Sequence, residues 1–164
     1  MLVPALRPAR PADLYAINAI YNHYVRHSTC TYQIEPDSIA ERRRWFAIHD
    51  SRHPVLVAEV KDEVVAWGAL SRYHARCAYD RTVEDSVYVR RDLRGRGLGR
   101  SLLSELLARA RALQHHAVLA LIDAEQPASV RLHESFGFQS AGRLREVGFK
   151  RKRWLDVVIY QLLL

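Results

Sequence analysis

A β-branched run, Ser86-Val87-Tyr88-Val89, leads through a basic glycine-rich turn, Arg94-Gly95-Arg96-Gly97-Leu98-Gly99, into a long amphipathic stretch. Leu98, Leu102, Leu103, Leu106, Leu107, Ala110 and Leu113 recur at helical spacing. Strand, glycine turn and helix in this order constrain the fold, because the helix must pack back on the sheet that its strand belongs to. They also constrain the chemistry. A helix that starts in such a turn leaves its first N–H groups unpaired at the positive end of its dipole, next to arginines, which makes an anion site suited to phosphates. Glycine allows φ > 0 and lets the backbone approach a ligand closely. The turn has no lysine for a Walker loop, and Arg100 breaks the dinucleotide pattern, with no acidic residue suitably placed on a second strand. R-x-x-G-x-G remains, as Arg94, Gly97 and Gly99; taken alone, it is equally compatible with a turn that only caps a helix.

The rest of the chain reads as alternating elements. Leu2 to Arg7 is a short strand, and Pro11-Ala12-Asp13 starts a helix that runs to about Arg26. Ser38 and Glu41 have capping-box spacing for a second helix, with Ile39, Trp45, Phe46 and Ile48 on its apolar side. Val55 to Val60 and Val64 to Leu70 form a hairpin about Lys61-Asp62-Glu63. Ser71 to Arg81 has no period and reads as a loop, and Thr82 to Val89 is the next strand. His115 and His116 end the leucine-rich helix, Ala117 to Ile122 is a buried strand, and a short helix runs through Leu132 to Phe136. Gln139 to Phe149 and Trp154 to Leu163 are a final strand pair. Hairpins mixed with strand–helix–strand crossovers imply an α/β fold, a mixed sheet with helices on both faces.

A chain of 164 residues, 49% hydrophobic, forms one domain with a real core, and neither repeats nor a linker divide it. Two cysteines, Cys30 and Cys77, make no disulfide framework, and no Cys/His spacing suggests a metal. The proline-broken start is unlike a secretory signal, and no apolar run approaches the ~20 residues of a membrane span, so the expectation is a cytoplasmic protein without membrane contact. The net charge of +7 raises the possibility of nucleic-acid binding, but the arginines are scattered, with clusters at Arg42 to Arg44, Arg90 to Arg100 and Arg143 to Arg153. A polyphosphate cofactor accounts equally well for the middle cluster.

Thr82 to Val89, the R-x-x-G-x-G turn, Ala128 to Phe138, Gly142 to Lys150 and Arg153 to Val158 together resemble the phosphinothricin and methionine sulfoximine N-acetyltransferase branch of the GNAT superfamily. Ile20 to Val25 and Thr29 to Tyr32 resemble the same branch, so the similarity covers nearly the whole chain in order. It implies one N-acetyltransferase domain over residues 1–164, with a central mixed, mostly antiparallel sheet of about six to seven strands and helices on both faces. It implies acetyl-coenzyme A (acetyl-CoA) as cofactor, a small-molecule amine as acceptor, no metal, and a homodimer.

The same resemblance implies site residues. Val87, Tyr88 and Val89 would offer backbone groups to the thioester and pantetheine. Arg94, Gly95, Arg96, Gly97, Leu98, Gly99 and Arg100 would hold the diphosphate, and Gln126 and Ser129 would touch the cofactor. Gln126 stands where the branch has an asparagine. Tyr32, which replaces a usual phenylalanine, and Arg72, Tyr73 and Arg76 match regions around the acceptor, although the Arg72 loop departs from the branch's wording. Attack by an amine needs a base. Glu84 shares a strand face with Thr82, Ser86 and Tyr88, a set without aliphatic residues, and is the first candidate; Asp85, on the apolar face, needs a partner if buried. His133 is the second catalytic candidate, against an ordinary structural histidine, and Tyr88 and Tyr160 are possible proton donors. Acetylation of protein N-termini or polyamines is the rival activity, and a non-catalytic nucleic-acid module is the rival class.

Overall fold

A computed structural model describes residues 3–164. Its elements are β1 (Ala5–Pro8), α1 (Leu14–His27), α2 (Ile39–Ala47), β2 (Val55–Val60), β3 (Glu63–Arg72), β4 (Thr82–Val89), α3 (Leu98–Ala112), β5 (Ala117–Asp123), α4 (Pro127–Glu134), β6 (Gln139–Lys150) and β7 (Arg153–Leu163). The strands form one seven-stranded sheet in the order β1-β2-β3-β4-β5-β7-β6. Every neighbouring pair is antiparallel except β4 and β5.

Local chemistry sets most of these boundaries. The Ser38 hydroxyl accepts from the Glu41 N–H (3.2 Å) and the Glu41 carboxylate accepts from the Ser38 N–H (2.7 Å), so the capping box starts α2. Lys61 and Asp62 take φ of 51° and 62°, the left-handed turn that matches the twist of a hairpin. Pro127 opens α4 five residues before the start expected from sequence, because its fixed φ suits a first helical position. β1 starts at Ala5, where pairing with Glu59 begins; the expected start at Leu2 lies outside the described residues. The leucine-rich helix ends at Ala112, before His115 and His116, where the sequence placed its end. The His115 ring is buried, with Nε2 2.8 Å from the Arg52 carbonyl. Ile48 is 76% exposed because α2 ends before it.

Two cores flank the sheet. Leu98, Leu102, Leu103, Leu106 and Leu107 of α3 pack on one face against Leu56, Leu70, Val83 and Val118. Leu14, Ile17, Ile20 and Tyr24 of α1 cover the other face over Val55, Val57 and Trp67. Each fully buried leucine contributes about 1.5–3 kcal/mol. Among the described residues no helix is long and apolar enough to cross a membrane, and no three His, Cys, Asp or Glu side chains group as metal ligands.

Candidate active site

The site begins where the sheet splits. β4 and β5 pair at only three positions, Thr82 with Ala117, Val83 with Val118 and Glu84 with Leu119. Beyond Glu84, β4 stays paired with β3 as far as Val89, while β5 stays paired with β7 as far as Asp123. The strands diverge, so the edge of β4 from Asp85 to Val89 has no strand partner on that side. Buried main-chain groups need partners, so an extended ligand with amide groups fits this edge. A cleft of about 730 Å³ opens there, lined by Glu84 to Val89, Arg94, Gly95, Gly97 to Arg100, Gln126, Ser129, Tyr32 and His133, among others.

The glycine turn closes one end of the cleft. Gly97 is the N-cap of α3 with φ of 92°, and no side chain caps the helix. Among the described residues, the N–H groups of Gly95 to Arg100 have no protein acceptor, so several main-chain donors and the helix dipole remain available to an anion. Gly95 also has positive φ, 73°. Arg94 lines the cleft and has no ion-pair partner among the described residues. Arg100 lines it while donating to Ser135 Oγ (3.0 Å) and lying over the Phe136 ring. Arg96 is exposed and does not line the cleft.

Alternation along β4 separates two roles. Glu84 and Tyr88 face α1 and α2, while Asp85 faces α4. The Glu84 carboxylate lines the cleft without a hydrogen-bond partner among the described residues, and burial, then the neighbouring Asp85 charge, raise its pKa above the usual carboxylate value. Asp85 is buried and its partner is His133, with Nε2 to Oδ2 3.0 Å; His133 Nδ1 lies 2.8 Å from the Ser129 carbonyl. Both ring nitrogens therefore meet acceptors, and none is left for an amine or a thiolate. Burial disfavours the His133 imidazolium, but the Asp85 hydrogen bond and charge, with the Ser129 carbonyl, outweigh it and raise the pKa.

A pH dependence follows from this pair. A raised folded pKa makes the contribution of His133 to stability complete below the unfolded value, about 6.5, and removes it as pH rises through the folded value. The wild type is expected to lose stability over that window. In an Asp85→Asn variant the slope should flatten, as measured by urea denaturation at successive pH values.

Gln126 lines the cleft as the N-cap of α4, its Nε2 3.4 Å from both Thr29 Oγ1 and Asp123 Oδ2. Tyr32 lines the cleft and donates to the Asp156 carbonyl (2.9 Å). Burial first, then Asp123, Asp156 and Glu125, push its phenol up to about 12. Gly148 is required beneath it, since a Cβ there would lie 2.6 Å from the Tyr32 ring. Arg72, Tyr73 and Arg76, expected from the sequence around the acceptor, are not among the residues that line the cleft. Arg72 pairs with Val83 across the sheet, which puts it on the face opposite Glu84, and it meets Asp80 at 3.4 Å. Tyr73 packs edge-on against Tyr79, and Arg76 is exposed in the same loop. Tyr88 faces the cleft, where burial holds its phenol protonated; Tyr160 lies outside the cleft and donates to Glu134.

An aromatic wall that sequence reasoning missed lines the far end. Tyr21, Trp45 and Trp67 surround Arg42, which is 2% exposed, lies 4.3 Å over the Tyr21 ring and pairs with Asp37 at 2.6 Å, and Tyr88 stacks on Trp67. The signal was present: Ile39, Arg42 and Phe46 share one helical face, so this arginine lies on the apolar side of α2.

A split sheet whose glycine turn offers free amides beside it defines an acyltransferase of one family. The acetyltransferase (GNAT) family model matches residues 17–138, and the chain belongs to that family. It is 40% identical to a phosphinothricin N-acetyltransferase from Alcaligenes faecalis, over 95% of this chain and 80% of that protein. It is also 40% identical to an L-methionine sulfoximine/L-methionine sulfone acetyltransferase from Pseudomonas paraeruginosa, over 96% of this chain and 93% of that one. A solved GNAT superfamily phosphinothricin acetyltransferase from Sinorhizobium meliloti, in complex with acetyl-CoA, superposes with a TM-score of 0.95. It is 37% identical and covers 99% of this chain and 89% of its own.

Proposed function

We propose that the protein, acting as a single domain, transfers acetyl from acetyl-CoA to the amino group of a small amino acid or analogue of the methionine sulfoximine and phosphinothricin type. The observation that carries this reading is the unpaired edge of β4 running into the uncapped start of α3, beside a partnerless Glu84. The cofactor supplies an electrophilic thioester carbonyl. The chain's own residues do the rest. The main chain of Val87 to Val89 holds the pantetheine arm, and the amides of Gly95 to Arg100, with Arg94 and Arg100, hold the diphosphate. Gln126 and Ser129 border the arm, and Tyr32 borders the acceptor. Glu84 takes a proton from the amine, directly or through water; an α-amino group with a pKa of about 7.7–8.0 asks little of it. His133 fixes α4 against β4 through Asp85 and positions the cleft wall.

Names and cleft agree on a small acceptor. The relatives act on amino-acid analogues, and the cleft carries Tyr21, Trp45, Trp67 and Tyr88 in its lining, where a polyamine would favour an open acidic groove. Some members of each arginine cluster are tied to carboxylates: Arg42 to Asp37, Arg90 to Glu63 and Asp92, Arg143 to Asp156, and Arg153 to Glu125. The relatives' names favour a small molecule over nucleic acid, and a cytoplasmic site of action suits an acetyl-CoA-dependent enzyme. The exposed apolar residues Leu144, Val147, Phe149 and Trp154 on the edge hairpin β6–β7 suit a homodimer contact. Light scattering should give twice the chain mass.

The activity is tested by thiol release from acetyl-CoA with methionine sulfoximine, methionine sulfone, phosphinothricin, the common amino acids, a polyamine and an N-terminal peptide. Turnover is expected with the first three and little with the last two. Preference for the polyamine or the peptide would replace this reading.

A further inference from the structure

A second cavity, of about 420 Å³, adjoins the cleft beside the glycine turn. His23, Tyr24, His27, Ser28, Arg91 and Arg94 line it, and Tyr24 and Arg94 line the cleft as well, so the two spaces share a wall. His23 and His27 stand one turn apart at the end of α1, with ring centroids 4.8 Å apart, while Arg91 and Arg94 come from the turn between β4 and α3. Among the described residues no carboxylate lines this cavity, and neither Arg91 nor Arg94 has an ion-pair partner; Glu63 and Asp92 are held by Arg90. The Ser28 hydroxyl accepts from the Cys30 N–H (3.1 Å), which leaves its own proton free to donate. Burial, then the charges of His27 and Arg91, lower the His23 pKa, so like charges crowd one another here. An oxyanion of high charge satisfies such a cluster.

We propose that this cavity is a phosphate-monoester site, and that the phosphate it takes is the 3′-phosphate of acetyl-CoA. The inference rests on the reading of acetyl-CoA as the acetyl donor. In that reading the diphosphate lies at the start of α3, and Arg94 borders both spaces. On coenzyme A only a ribose joins the 3′-phosphate to the diphosphate, so a cavity that shares an arginine with the diphosphate site is within its reach. A monoester carries about −1.5 to −2 charges at pH 7 and three acceptor oxygens, which match Arg91, the two imidazoles and the Ser28 hydroxyl. Inorganic phosphate has the same chemistry and is the other source of such an anion. His23, His27 and Arg91 select coenzyme A over its 3′-dephospho form. They do so away from the thioester, so they act on cofactor affinity and not on acetyl transfer.

Calorimetry with acetyl-CoA, 3′-dephospho acetyl-CoA and inorganic phosphate tests this. The wild type is expected to bind acetyl-CoA about tenfold more tightly than the 3′-dephospho form, the worth of one charge-assisted hydrogen bond. Arg91→Ala should lower that ratio about threefold, as suits an exposed arginine, and Arg91→Ala with His23→Asn should bring it to about one. Affinity for the 3′-dephospho form, and kcat at saturating donor, should stay unchanged in both. Arg26→Ala removes a positive charge from α1 outside the cavity and should leave the ratio as in the wild type. An equal fall with Arg26→Ala, or equal losses on both cofactor forms in the cavity variants, would overturn the site. Inorganic phosphate that binds the wild type but not the double variant, with the cofactor ratio unaltered, would keep the site and overturn the cofactor as its source. No response of either ligand to the variants would overturn both. Failure of the acetyl-CoA reading would show separately, as no heat from either cofactor form, and the phosphate titration would still decide the cavity.

Discussion

Glu84→Gln is expected to lower kcat by about 10²–10³-fold, within the range for removal of a general base, and to leave acetyl-CoA affinity within twofold of wild type. The amide keeps the size of the carboxylate and still accepts a hydrogen bond from an amine, but it cannot take the proton. The prediction is strong because Glu84 lines the cleft with no hydrogen-bond or ion-pair partner among the described residues, so its replacement breaks no contact there. Its pKa is raised, first by burial and then by Asp85, so the wild-type rate should fall on acidification at a pH above the ordinary carboxylate range. The glutamine variant should lack that acid limb. Single-turnover rates across pH, with calorimetry of acetyl-CoA binding, check both halves. An unchanged kcat would remove Glu84 from its role.

The second large effect is expected at Gly97. Its φ of 92° is one that a β-branched residue adopts only under strain, and it sets the direction in which the first amides of α3 point. Gly97→Val should cost about 1–3 kcal/mol of local strain, and the helix start should relax to avoid it. The free N–H groups would then no longer converge. If that strain falls on the bound state, acetyl-CoA affinity drops by about 5–150-fold, while kcat at saturating cofactor changes little. Calorimetry and a KM–kcat comparison measure this, and circular dichroism confirms that the variant folds. Weakened kcat with intact cofactor affinity would place the glycine turn in a different role.

What could be read from the sequence divides by the range of the interactions involved. The β4 to α3 segment was legible because strand alternation, a glycine turn and helical leucine spacing are local patterns, and the structure places them as expected. The face of Glu84 was also legible, since side chains on a strand alternate. Asp85 was recognised as needing a partner, but that partner, His133, lies 48 residues away in sequence and is fixed only by packing of α4 on the sheet. The same limit applies to Arg72. In sequence it sits in a polar loop near the acceptor regions, yet its register against Val83 turns it to the other face. Arg42 was hidden for a different reason: within Arg42-Arg43-Arg44 it looks like one member of a solvated run, and only its helical phase with Ile39 and Phe46 marks it as internal. The split between β4 and β5, on which the site depends, has no sequence signature. It follows from β5 continuing with β7 while β4 continues with β3.

Hydrogen exchange with and without acetyl-CoA tests the central claim most directly, namely that main-chain groups left unpaired at the split sheet and at the start of α3 hold the cofactor. Amides in segments 85–89 and 95–100 should become protected when acetyl-CoA is added, while β1 and β2 stay unchanged. Exchange unaltered in both segments at a cofactor concentration that supports full turnover would contradict it.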